Sequence, residues 1–133
     1  MSIKKMLLIL PVFLLFFGCT NNDDLKIPEE TKLKEVTYEV ILFEFTPDTG
    51  NNSLRLRYEI KFTNPNAIAI KGFHKVTTNA DGIISSTIST NYSPCYSMDA
   101  NSDCTINFDE EDSFDLGKLT SLELVSVEYV LED

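Results

Sequence analysis

The stretch from Leu54 to Phe62 constrains the fold of this chain more than any other. Leu54, Leu56, Tyr58, Ile60 and Phe62 alternate without a break with Arg55, Arg57, Glu59 and Lys61. Successive side chains leave a strand on opposite faces, whereas on a helix the same order would scatter apolar groups around the circumference. The run therefore predicts a β-strand with one buried and one wet face, the pattern of an antiparallel sheet.

The same period recurs along the chain from about Leu33 onward. Val36, Tyr38, Val40 and Leu42 alternate with Thr37, Glu39 and Ile41, and then Phe43 and Phe45 continue on the opposite parity. That change predicts a bulge or a switch between sheets. Near the other end Leu122 and Leu124 share one parity while Val127, Tyr129 and Leu131 share the other, which predicts a second bulge near Val125-Ser126. Between them lie the turn chemistry of Thr46 to Ser53 and a strand, or bent pair broken at Gly72, over Ala67 to Thr78. A hairpin follows at Asn79-Ala80-Asp81-Gly82, then an edge-like Ser/Thr/Ile strand from Ile83 to Tyr92. Ser93 to Asp103 reads as a loop, and Cys104, Ile106 and Phe108 as a short strand running into the acidic cluster Asp109 to Asp112. Phe114 to Thr120 reads as one short helical turn. Six or seven strands without an amphipathic helix predict an all-β antiparallel sandwich over 33–133. The stretch Tyr58-Glu59-Ile60-Lys61-Phe62-Thr63-Asn64-Pro65-Asn66 resembles strand ends in two immunoglobulin-like groups, the water-stress late embryogenesis abundant proteins and bacterial lipoprotein domains. The resemblance implies an immunoglobulin-like sandwich and says nothing of function.

Met1 to Cys19 has a different character. Lys4 and Lys5 precede an apolar run from Met6 to Phe17, interrupted only by Pro11 and closed by Gly18-Cys19. This is the layout of a secretory signal peptide. Twelve residues at ~1.5 Å each reach about 18 Å, too short for a hydrocarbon core of ~30 Å, which argues against an uncleaved anchor. The cysteine at the cleavage point resembles the lipobox of bacterial lipoproteins, in the looser form of Bacteroidetes. That resemblance implies removal of 1–18, acylation of Cys19, and a lipid anchor in the outer membrane of a Gram-negative cell. Residues 19–32 are then a flexible acidic tether. Asp23-Asp24 resembles the export signal of surface lipoproteins, so either the cell surface or the periplasmic face is open.

The formal charge is −10 over 133 residues, and loss of the two leader lysines takes it to −12. Such an excess argues against a nucleic-acid partner, whose phosphates need clustered Lys and Arg. It also argues against electrostatic docking on anionic lipid, leaving the membrane contact to the acyl chains. Beyond Cys19 the remaining pair, Cys95 and Cys104, predicts a disulfide in an exported chain.

For catalysis the residues are unpromising: His74 is the single histidine and reads as an exposed strand residue among lysines, and no nucleophile elbow surrounds a serine. The reading is therefore not an enzyme and needs no cofactor. One motif points to calcium. Asp99, Asn101, Asp103, Thr105 and Glu110 fall at the ligand positions of an EF-hand-type loop, although Cys104 stands where that loop needs glycine. A second candidate is the aromatic loop with Tyr92 and Tyr96, suited to a glycan or protein ligand. The expectation is a membrane-anchored envelope lipoprotein acting as a non-enzymatic binding or accessory module, with an envelope protein or glycan as partner. Two alternatives stand beside it: a calcium-dependent adhesive or carbohydrate-processing domain using residues 99–112, and a purely structural envelope lipoprotein.

Overall fold

The structure, a computed structural model, describes residues 32–113 and 118–132. Seven antiparallel strands form two packed sheets, β1 (Thr37–Thr46), β2 (Ser53–Thr63), β3 (Ile70–Ala80), β4 (Ile83–Ile88), β5 (Ser97–Met98), β6 (Asp103–Ser113) and β7 (Leu122–Leu131). The alternating run becomes β2, the centre of the first sheet, with β1 on one side and β6 on the other. In the second sheet β3 is central, with β7 along one edge and β4 followed by β5 along the other. The all-β sandwich expected from the period is the observed architecture.

The core sits where the two inner faces meet. Ile60 and Phe62 from β2, Ile106 from β6, Ile70 and Val76 from β3, Val127 from β7, and Cys95 and Met98 from the β4–β6 connection are all buried. Phe62 contributes most, stacking on His74 with ring centroids 5.6 Å apart and lying 5.5 Å from the ring of Tyr129. Burial of a large apolar side chain is worth roughly 1.5–3 kcal/mol, so this small set carries much of the sandwich's cohesion.

Both bulges are present. The β1–β2 register passes from Val40↔Ile60 to Leu42↔Glu59, leaving Ile41 as the extra residue. The β3–β7 register passes from Thr77↔Ser126 to Thr78↔Leu124, leaving Val125 as the extra one. Each lets a strand keep apolar groups on the inner face after its sequence changes parity. The Asp81-Gly82 turn joins β3 to β4 with positive φ at both residues, 48° and 90°. A two-residue hairpin needs that geometry to match strand twist.

Three readings are corrected, and of the two readings around Gly72 the unbroken strand is the one observed: β3 runs through Gly72, whose inner face is covered by the Tyr129 ring. A Cβ there would overlap that ring and the carbonyl oxygen of Val130. The strand from Cys104 is long, since Asp109 to Ser113 continue the β2 ladder as far as Ser53↔Ser113. Opposite charges on β2 hold the acidic residues in extended form there. The Ile83 strand ends at Ile88, and β5 interrupts the loop that follows. His74 faces the core, half-buried, because β3 places it on the same side as Ile70, Gly72 and Val76. The helical turn read at Phe114 to Thr120 falls largely outside the described residues; Lys118 to Thr120 are not helical.

Candidate functional site

Acidic and basic residues make up 24% of the chain, yet the stretch from Gly82 to Met98 contains neither. No other run between Lys32 and Glu132 is uncharged for as long. This stretch comprises β4, the loop after it and β5, and it holds the most exposed large apolar side chains among the described residues. Tyr92 is 92% exposed, Ile83 72%, Ile84 66% and Ile88 62%. All six residues of β4 are exposed. A free sheet edge with no lysine, proline or bulge to protect it is unusual in a soluble domain.

The backbone of β4 is aimed in a definite way. Ser89 N–H donates to the His74 carbonyl at 2.9 Å, so Ser89 and, two residues earlier, Thr87 direct their peptide groups toward β3. Alternation then turns those of Ile84, Ser86 and Ile88 outward, where no strand among the described residues pairs with them. The Ser86 hydroxyl lies 2.8 Å from that of Thr77, so the outward backbone sits on a braced strand.

The loop from β4 to β6 is fastened at several points. Cys95 and Cys104 form a disulfide, with Cα atoms 5.6 Å apart, tying the second sheet's edge to the first sheet. The Tyr129 hydroxyl donates to the carbonyls of Cys95 (2.8 Å) and Tyr96 (3.2 Å). Burial pushes that phenol up to about 12. Tyr96 lays its ring on Phe73, 5.3 Å between centroids, and donates its hydroxyl to Glu132. That carboxylate acceptor raises the Tyr96 phenol above its ordinary value. The Lys71 ammonium lies 6.0 Å from the Tyr96 ring centre. Thr90 and Ser93 close the turn beneath Tyr92, with Ser93 N–H donating to the Thr90 carbonyl at 3.0 Å. The two tyrosines thus differ: Tyr96 is packed, and Tyr92 projects from an ordered turn.

The residues of the calcium motif are brought to different places. Asp99 offers its carbonyl to the Asn64 amide (2.8 Å) and to the Ser102 hydroxyl (2.8 Å). Asn101 adopts positive φ and donates its N–H to the Asn66 carbonyl. The Asp103 carboxylate accepts from the Thr63 hydroxyl at 2.6 Å. Asp103, Thr105 and Glu110 all lie on β6, and odd and even positions of a strand point to opposite faces. Asp103 and Glu110 are also about 23 Å apart at ~3.3 Å per residue of strand. The EF-hand-type arrangement is therefore corrected: these oxygens cannot surround one ion. Among the described residues no three His, Cys, Asp or Glu side chains gather as a metal site.

What organises that loop instead is Asn64-Pro65-Asn66. Asn64 is fully buried, donates to the carbonyls of Ile68 (3.0 Å) and Asp99 (2.8 Å), and accepts from the Asn66 backbone and side-chain amides (both 2.9 Å). Asn66 in turn clasps Lys34 through its N–H (2.8 Å) and carbonyl (3.0 Å). Two asparagines thus join the start of the domain, the β2–β3 turn and the loop before β6.

Several of the remaining charges are paired. On the outer face of the first sheet Arg55 grips Asp109 with two hydrogen bonds of 2.7 and 2.8 Å, Arg57 reaches Glu44, and Lys61 lies between Glu39 and Asp103. His74 is held below its ordinary value by burial. Cys19 lies outside the described residues. Sequence reasoning missed Ile84, Ile88 and Tyr129; the uncharged run was visible but not weighed, and Tyr129 looked like any inward strand residue. In comparisons with known proteins no protein-family model, curated protein or solved structure matches the chain.

Proposed function

We propose that the chain is a lipid-anchored envelope protein whose sandwich is a non-enzymatic binding module, acting through the uncharged face of β4 and Tyr92. The observation that carries the binding reading is the exposure of Ile83, Ile84, Ile88 and Tyr92 in one uncharged stretch. Ile84 and Ile88 share one face of β4, and exposed apolar groups beside an ordered aromatic are what protein and glycan recognition use. The partner is another envelope protein or a surface glycan. The reading as a binder rather than a catalyst is supported by the inward turn of His74 and by the paired arrangement of the charged residues. The lipid anchor rests on the leader and Cys19, and the immunoglobulin-like type on the Asn64-Pro65-Asn66 resemblance.

Two measurements test it. Intact mass of membrane-extracted protein should begin at acylated Cys19, and an unlipidated mass would remove the anchor. A photo-crosslinking amino acid at Tyr92 in living cells should capture a protein or glycan, whereas the same group at exposed Asn107 should not. Equal yields at both positions would remove the binding face.

A further inference from the structure

The free edge of β4 is symmetric in a way that selects its partner. Ile84 and Ile88 lie at equal distances on either side of Ser86, and all three turn outward backbone groups that no strand among the described residues pairs. A two-fold axis through Ser86, perpendicular to the sheet, would set Ser86 opposite Ser86 and each Ile84 opposite the Ile88 of a second copy. Antiparallel partners share a face, so both isoleucine pairs would meet on the outer side, and each of the three pairs would exchange two backbone hydrogen bonds. Two-folds through Ile84 or Ile88 would each oppose one isoleucine with itself, but only the register about Ser86 gives both outward isoleucines of each copy an isoleucine partner.

Charge points the same way. The chain carries −10 overall, so most self-contacts would oppose like charges, yet from Gly82 to Met98 there is none to oppose. Among the described residues the β4 edge is the long uncharged surface element where two copies could meet without that repulsion. A basic partner would instead be expected to find acidic groups along the edge it binds.

We propose that β4 is a homodimerisation edge, pairing antiparallel with β4 of a second copy about Ser86. This deepens the binding reading above and rests on it for the face, and on the lipid anchor for its strength. A six-residue edge contact falls below ~1,200 Å², the range of weak and transient pairs. Two copies held in one membrane meet at high effective concentration, which converts a weak contact into a populated one.

The test uses the full-length chain in the membranes of the cells that make it. Opposed residues of a hydrogen-bonded antiparallel pair have Cα atoms about 5.5 Å apart, within the ~4.4–6.8 Å that a disulfide spans. Under mild oxidation Ser86→Cys should give severalfold more reducible dimer than Asn107→Cys, which lies exposed on β6. Ile84→Cys and Ile88→Cys should cross-link when the two variants are co-expressed and weakly when each is alone. As a second readout, the detergent-solubilised parent should sediment faster with concentration, and Ile84→Lys/Ile88→Lys should abolish the shift.

Ser86→Cys dimer at or below the Asn107→Cys level, with no concentration-dependent sedimentation, overturns the proposal. Self-cross-linking strongest at Ile84→Cys overturns the register and the two-fold with it. Capture of a different protein at Tyr92, with Ser86→Cys remaining monomeric, overturns the second copy while leaving the binding face standing. An unlipidated mass would count against the anchor alone, so the two readings fail separately.

Discussion

Removing the Asn64 side chain is the sharpest perturbation available. Asn64 is fully buried at the end of β2, and its amide satisfies four partners: the carbonyls of Ile68 and Asp99, and the two amide nitrogens of Asn66. Each hydrogen bond is worth about 1 kcal/mol net, and a buried group left unpaired costs roughly 1–3 kcal/mol. With four partners orphaned and partial rescue by water entering the space, Asn64→Ala should lose about 3–5 kcal/mol. That is a large share of the ~5–15 kcal/mol that a domain of this size possesses. Asn64→Asp discriminates between lost packing and lost hydrogen bonding. It keeps the acceptor toward Asn66 but turns a carboxylate oxygen toward two carbonyls, so at neutral pH it should match or exceed the alanine variant. Burial raises such a carboxyl's folded-state pKa above its unfolded value, so protonation favours the fold. The aspartate variant should therefore recover stability as pH falls, and the alanine variant should not. Urea unfolding of the oxidised protein, followed by far-ultraviolet circular dichroism, measures both. A loss below about 1 kcal/mol for Asn64→Ala, or identical pH dependence for the two variants, would refute the role given to the asparagine pair.

Other outcomes follow from single contacts. Gly72→Ala forces a Cβ against the Tyr129 ring and the Val130 carbonyl and should cost about 2 kcal/mol, read as a fall in urea midpoint at unchanged slope. Asp81 accepts from the backbone and hydroxyl groups of Thr120 and Ser121, which hold its carboxyl at about 2. A folded pKa below the unfolded ~3.9 supports the fold above pH ~4 and is lost as pH falls toward 2, so Asp81→Asn should flatten that acid limb in melting temperature against pH. Tyr92→Ala should leave stability within about 0.5 kcal/mol because the ring is free, while Tyr96→Ala should lose about 1–2 kcal/mol with its packing on Phe73. Equal losses at the two tyrosines would contradict their different environments.

Much of the fold was legible in residue order because a strand's two faces repeat every second residue. Leu54 to Phe62 announced β2, and the parity changes at Leu42-Phe43 and at Leu124–Val127 announced the bulges at Ile41 and Val125. The Asp81-Gly82 turn was equally plain, since so few residues accept positive φ. The calcium motif misled because a ligand spacing carries no information about whether the backbone curls. Here the β2 ladder keeps Asp103 to Ser113 extended, and the arginines of β2 draw Asp109 into ion pairs.

By itself the sequence determined the class of architecture, the position of β2, the two bulges, the Asp81-Gly82 turn, and the pairing of Cys95 with Cys104. These depend on local periodicity, on turn chemistry and on the count of cysteines. Only the tertiary structure decided which faces meet. It turned His74 inward against Phe62, closed Tyr129 over Gly72, made Asn64 and Asn66 the fastening of three segments, and left the outer edge of β4 without a partner strand among the described residues. Residue order sets which groups share a strand face. Whether that face or edge finds a partner is settled by which strands lie beside it, and those come from far along the chain.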